Sequence, residues 1–280
     1  GTLNFWAEIV IIVCTALFGP LSDRIGRKSV ISAGFFIMAG GTYLYPRATT
    51  LDELLTYRLL YAAGIAAVSC MIVTIVADYV RDESRGKATG YLGIMNGCGA
   101  MITVFLLMRL PAYFQSQGAS VIDSGLQTYS LVAGITVAIG FLMILGLKSE
   151  EKKTAEEHLG IMTLARQGLF AAKDPGIALA YGVSFVARGN LMIVGTFFSL
   201  WITNYGSTEL NLNRADALAK AGMVIGIAQG CALLGAPIFG ILSDKMNRVS
   251  ILIVALLFSI AGYGSTYFIS NPTGTAMIVC

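Results

Sequence analysis

Three ionisable side chains interrupt long apolar runs: Glu8, Arg58 and Arg188. A charge inside a membrane span costs about 2.5–3.5 kcal/mol on insertion scales, so a chain that keeps one there is expected to use it. Arg188 stands twelve residues into the apolar run that starts at 176, about 18 Å along a helix and near mid-depth. Tyr181 and Ser184 precede it by seven and four residues and share its face. That polar stripe suits a substrate carrying a carboxylate or phosphate, the natural partners of a guanidinium. The alternative for Arg188 is structural, with backbone carbonyls or a distant acid as its partners. Glu8 could take up and release a proton; the alternative is a solvated place near the interface. Arg58 lies twenty residues before the acid Asp78, about 30 Å along a helix, and snorkelling to the surface explains it equally well. Gln229 and Asn190 can be read either as substrate contacts or as satisfied interhelical hydrogen bonds.

Other chemistries lack their residues. His158 is the only histidine and falls in a polar connection. Cys14, Cys70, Cys98, Cys231 and Cys280 lie in apolar stretches without CxxC or Cys/His metal spacing, and read as small residues between packed helices. No acids are paired at catalytic spacing within a span, and no glycine loop could cradle a phosphate. The sequence therefore predicts no enzyme, no catalytic residue, no metal, no cofactor and no ATP-driven step. With a net charge of +3, a nucleic-acid partner is not expected.

The elements that position these residues are membrane spans. The chain is 56% hydrophobic and only 12% charged, with a mean hydropathy of +0.74, which is too apolar for a water-soluble surface. Runs long enough to cross about 30 Å of hydrocarbon fall near 5–22, 29–46, 54–78, 88–110, 129–147, 176–202, 220–242 and 249–270. Alternate connections hold thirteen lysines and arginines against four in the others, so the richer set is expected to be cytoplasmic. The longest connection, about 148–174, predicts a short helix of its own. Thr154 and Glu157 fit a capping box, and Ile161, Leu164, Ala165, Gly168 and Leu169 share one face, with Arg166 and Lys173 off it. Such a helix would lie on the membrane surface or against the bundle. Asp174-Pro175 suits the cap and first position of the span that follows. The chain opens on Gly-Thr-Leu-Asn, shows no signal peptide, and closes inside an apolar run from Gly274 to Cys280, so a piece of a longer protein, truncated at both ends, is expected.

Two segments repeat. Gly19-Pro-Leu-Ser-Asp23-Arg24-Ile-Gly26-Arg27-Lys28 matches Gly240-Ile-Leu-Ser-Asp244-Lys245-Met-Asn247-Arg248, 221 residues later. Gly19 and Gly240 would admit a neighbouring helix, while Gly26 and Asn247 are the types that best tolerate a left-handed turn. Glu8 and Gln229 each stand fifteen residues before the motif acid, which makes them pseudo-symmetric.

Here the chain resembles the major facilitator superfamily, whose loop between its second and third helices reads G-x-x-x-D-R-x-G-R-[RK]. Asp78, followed by Arg85-Gly86-Lys-Ala-Thr-Gly90, is similar to the family's acid at the end of helix four and its R-G-x-A-x-G entering helix five. Arg58-Leu-Leu-Tyr-Ala62-Ala-Gly64 matches the family's R-x-x-x-G-x-G in part, with Ala62 for the first glycine; that arginine is linked to proton coupling. The resemblance implies an all-α polytopic bundle with two pseudo-symmetric halves, the eight spans being helices two to nine of twelve. Residues 1–147 would be the N-terminal half, 148–175 a cytoplasmic linker, and 176–280 part of the C-terminal half.

It also implies that Arg27 pairs with Asp78, that Asp23 faces the N-terminus of the family's helix eleven, which is expected to lie outside this chain, and that Asp244 lies near Gly86 to Thr89. These contacts would close the cytoplasmic side and break as the halves rock. Arg188 falls on helix seven, which lines the cavity in this family. The implied function is secondary active transport of a small polar solute, with an organic anion as the candidate class, by a monomer in the plasma (inner) membrane, with H+ as the coupling ion. A drug or metabolite exporter of the same fold is the first alternative, weakened because the span near 88–110 lacks the Gly-Pro pair usual in such exporters. A receptor or sensor is the alternative from another class.

Overall fold

The structure is a computed structural model that describes residues 2–147, 161–192, 197–212, 214–269 and 271–272. Among them there is no strand. Eleven α-helices follow in order: α1 Thr2–Ile25, α2 Arg27–Leu44, α3 Leu51–Tyr79, α4 Arg85–Phe105, α5 Leu110–Ser116, α6 Val121–Gly146, α7 Ile161–Phe170, α8 Pro175–Met192, α9 Ser199–Thr208, α10 Arg214–Lys245 and α11 Arg248–Thr266. Five described segments are long and apolar enough to cross a membrane: Leu3–Ile25, Leu51–Tyr79, Val121–Gly146, Lys220–Lys245 and Val249–Thr266. Their outward faces carry large apolar side chains such as Leu145 and Phe258, exposed as a lipid-facing surface requires. Threonines within the helices satisfy their hydroxyls locally. Thr42, Thr74, Thr128 and Thr136 each donate to the carbonyl four residues back at 2.7–2.8 Å.

The helices fall into two compact units, residues 1–79 with 100–170, and residues 80–99 with 171–280. The core of the first is built by α2 and α3, where Val30, Ile31, Phe35, Ala67, Val68 and Met71 are buried together. Glycines set how closely these helices cross. A methyl on Gly34 would lie 2.8 Å from Ala67 Cβ, one on Gly41 2.7 Å from the Tyr61 nitrogen, and one on Gly64 2.5 Å from the Met38 nitrogen. On the other side of α2, Gly140 of α6 admits Phe36, which stacks edge-on with Phe141 at 5.2 Å. In the second unit Gly86, Gly90, Gly93 and Gly97 form one face of α4 against Gly240, Ala236 and Leu233 of α10. Alpha-11 joins α10 through the edge-on pair Phe239–Phe258 at 6.3 Å.

Three helix ends and one short helix differ from expectation. Alpha-6 starts at Val121 rather than near 129, because the Ser120 hydroxyl accepts the Asp123 N–H at 3.1 Å and donates to its carboxylate at 2.7 Å. Alpha-5, with Pro111 in its first turn, fills the connection before it. The apolar run 176–202 is described as α8 and then α9, which continues to Thr208. Asn247 does not take a left-handed turn: its φ is −62° and its side chain accepts the Val249 N–H at 3.0 Å, making it the cap of α11. Asp174 caps α8 in the same manner, accepting the N–H groups of Gly176 and Ile177 at 2.7 and 3.2 Å, with Pro175 as the first helical residue. The proposed capping box at Thr154 and Glu157, and His158, lie outside the described residues.

Candidate functional site

The two motif copies build two polar clasps. In the first, Gly26 alone separates α1 from α2. Its φ of +88° and ψ of 142° suit glycine only. A methyl there would touch nothing within 4 Å, so Gly26→Ala isolates the conformational cost. It is expected to destabilise the protein by about 1–3 kcal/mol, read as a lower Tm in detergent; an unchanged Tm would mean that the turn relaxes.

The turn places Arg27 at the start of α2. Its guanidinium forms an ion pair with Asp78 at the end of α3, lies 3.9 Å from Asp23 and donates to the Thr74 carbonyl at 3.5 Å. The Arg27 side chain is only 20% exposed, whereas Asp23 is 61% exposed. Arg24 and Lys28 are half-buried beside it. Gly19 has nothing within 4 Å of an added methyl, so the close helix contact expected at this glycine is absent among the described residues.

The second copy is used differently. Asp244, near the end of α10, accepts the Gly86 N–H at 2.7 Å on one carboxylate oxygen and the Lys87 N–H at 2.9 Å on the other. These are two of the four N–H groups that the start of α4 cannot satisfy internally, and the helix dipole favours an anion there. Asp244 thus sits where the repeat placed it, within the Gly86 to Thr89 window. Gly240 is what brings it there: a methyl on Gly240 would lie 2.6 Å from the Gly86 carbonyl oxygen and 2.8 Å from Gly90 Cα. The sequence marked Gly240 as a close-contact residue but did not identify Gly86 and Gly90 as its partners. The regular spacing Gly86, Gly90, Gly93, Gly97 was the available signal. Arg85 begins α4 half-buried, and Lys245 is exposed at the end of α10. Arg248 begins α11, and its side chain lies outside the described residues.

Arg58 does not simply snorkel. Two turns into α3, it donates to Asn4 Oδ1 of α1 at 3.2 Å and stacks over the Tyr61 ring at 5.5 Å. It lines a cleft of about 670 Å³ in the first unit, with Asn4, Thr42, Tyr45, Tyr61, Thr103, Thr128 and Tyr129 among the other walls and no acid. A guanidinium has five N–H donors, so this lining suits an anionic or hydroxyl-bearing group. The walls come from α1 to α6, and no local pattern in the sequence announced them. Glu8, half-buried on α1, is not among them.

On α8, Tyr181 is about half exposed, and the exposed Ser184 gives its hydroxyl proton to the Ala180 carbonyl of its own helix at 2.8 Å. Arg188 and Asn190 belong to α8 and Gln229 to α10, with side chains outside the described residues. Among the described residues no three His, Cys, Asp or Glu side chains gather as a metal site requires.

Comparison with known proteins agrees across the chain. The family model described as Major Facilitator Superfamily matches residues 1–280. Magnetosome protein MamH of Paramagnetospirillum magneticum is 26% identical over 95% of this chain, and magnetosome protein MamZ of Magnetospirillum gryphiswaldense is 28% identical over 95%. This chain spans 60% of the length of the first and 41% of the second. Among solved structures, the proton:xylose symporter XylE superposes with a TM-score of 0.51 at 20% identity, covering 84% of this chain and 58% of that one. That likeness is one of fold.

Proposed function

Because the chain belongs to the major facilitator superfamily, we propose that the whole protein is a secondary active transporter moving a small polar solute, an organic anion by preference, by alternating access coupled to protons. The observation that carries this reading is the pair of clasps. Each sets a motif acid or base against a partner that a modest movement would release, and each is polar, so water can replace the protein groups when it opens. In our reading the halves divide at the 148–175 connection. Gly86 then belongs to one half and Asp244 to the other, so the Asp244 clasp closes one mouth of the pathway. The same reading places the clasps on the cytoplasmic side of the inner membrane, by the excess of basic residues there, and takes the monomer as the transporting unit.

Arg188 is the proposed anion contact, with Tyr181, Ser184 and Gln229 around it. Glu8, a carboxyl that can carry a proton, and Arg58, which matches the family's proton-coupling arginine in part, are the proposed proton-coupling residues. The test uses the full-length protein in vesicles with an alkaline lumen or with no pH gradient, screened with labelled organic anions, neutral sugars and lipophilic cations. Gradient-driven movement of an anion class, lost by tenfold or more in Arg188→Gln, is the expected result. Movement of sugars or cations that Arg188→Gln leaves unchanged would overturn the anion assignment. Anion movement indifferent to the gradient would overturn proton coupling.

A further inference from the structure

Arg58 brings into the cleft of the first unit a charge that its neighbours do not neutralise. Among the described residues its partners are the Asn4 amide oxygen at 3.2 Å and the Tyr61 ring, whose centre lies 5.5 Å from the guanidinium carbon. Neither is an anion, and no acid stands among the walls. Arg27 gives the contrast, since its guanidinium is matched by the Asp78 carboxylate. The bond to Asn4 takes one of five N–H donors. The half-buried Arg58 thus keeps both donors and net charge for a group the described chain does not supply.

The other walls say what kind of anion fits. Tyr45, just past the end of α2, and Tyr129 of α6 both line the cleft, stacked with ring centres 6.4 Å apart and planes inclined by 30°. Tyr129 is 41% exposed, so part of this aromatic surface is uncovered. Thr42 and Thr128 spend their hydroxyl protons on the Met38 and Ser124 carbonyls at 2.8 and 2.7 Å, which leaves them as acceptors. Positive charge therefore enters the lining at Arg58 alone, beside aromatic and apolar surface. The volume of about 670 Å³ lies within the roughly 300–1,000 Å³ of small-molecule sites. A bare inorganic anion would leave most of that space and the tyrosine faces without contact. A carboxylate carried on a planar ring uses both.

We propose that this cleft is a binding site for an aromatic carboxylate, its anionic group on Arg58 and its ring against the Tyr45–Tyr129 stack. The site is built within the first unit and shares no residue with the Arg188 stripe on α8. Occupation of it needs neither a proton gradient nor transport, so it stands or falls apart from the function proposed above.

Cysteine protection in the full-length protein tests it. Leu107→Cys and Val132→Cys, made separately with the native cysteines replaced by serine, each put a thiol on the cleft wall. Both are expected to react with a small maleimide, and 2-naphthoate should slow the reaction fivefold or more at each. Half-protection by 2-naphthalenemethanol, which lacks the charge, should need about tenfold or more the concentration. The saturated acid, decahydro-2-naphthoate, should need about threefold or more, having no aromatic face. Arg58→Gln should weaken 2-naphthoate to the level of the alcohol and leave the alcohol unchanged. Either cysteine serves alone if the other variant misfolds, and the ligand comparison stands without Arg58→Gln. Thiols that do not react at either position would mean that protein fills the cleft in the whole chain, which overturns the proposal. Reaction that 2-naphthoate does not slow overturns it too, as does equal protection by either analogue.

Discussion

Asp244→Asn in the full-length protein is expected to leave a tenth or less of wild-type transport while the protein still folds. Each carboxylate oxygen takes one N–H at the start of α4, at 2.7 and 2.9 Å. A hydrogen bond to a charged group contributes about 1.5–3 kcal/mol, and the favourable field at a helix N-terminus adds about 0.3–1 kcal/mol, up to about 2 where partly buried. Asparagine keeps the size and one acceptor, but it removes the charge and turns an amide donor toward one of the two N–H groups. The state that holds the clasp should lose about 1.5–3 kcal/mol. Since about 1.4 kcal/mol is tenfold, its population falls by ten or more relative to the open form. Initial uptake rates, with surface expression and Tm as controls, check it. Wild-type rates in Asp244→Asn would show that the contact fastens no step of the transport cycle.

Gly64→Leu is expected to yield no folded protein, and Gly64→Ala a marked loss of stability. The added methyl of alanine would sit 2.5 Å from the Met38 nitrogen and 2.8 Å from the Gly34 carbonyl oxygen. Both are backbone atoms of α2, which cannot swing aside as a side chain can. Overpacking typically costs about 1–3 kcal/mol and occasionally more; here the movement needed would part α2 from α3 and open the core around Val30, Ala67, Val68 and Met71. Gly134→Ala is the control. It lies on α6 with nothing within 4 Å of the added methyl, so better helix propensity should make it neutral or stabilising by up to about 1 kcal/mol. Equal thermal shifts for Gly64→Ala and Gly134→Ala would refute the close crossing.

These positions show what sequence could and could not convey. Bilayer thickness imposes the helices, so their existence was plain from apolar runs, and caps written in local chemistry, such as Asp174-Pro175, were plain too. The fold class and family followed from the motif and its repeat. Alpha-5 was missed because its apolar residues merge with the preceding span. The start of α6 was missed because Ser120 and Asp123 look polar enough for a loop, although their mutual bonds make them a helix start. Asn247 was assigned the wrong backbone: asparagine serves both left-handed turns and caps, and the residues around it do not decide between them.

The clasps were legible because each partner sits in a motif. The Arg58 cleft was not. Asn4 meets Arg58 across 54 residues of chain, and only packing reveals such neighbours. The role of Gly64 was half legible, as part of a partial match, while its reason, the backbone of α2, needed three dimensions.

Trypsin cuts after Arg24, Arg27 and Lys28, and again after Lys245 and Arg248, so these two turns hold a dense set of its target bonds. Yet one residue separates α1 from α2, and that residue is bonded on both sides: Gly26 donates to the Ser22 carbonyl at 3.0 Å and accepts from Val30 at 3.3 Å. A protease must draw several residues out straight, and here that means unwinding both helices and pulling Arg27 from Asp78. The very stretches richest in cleavable bonds are thus poor substrates for digestion. A tag or reporter spliced into either turn would meet the same obstacle from the other direction, because the chain has no slack there to admit it.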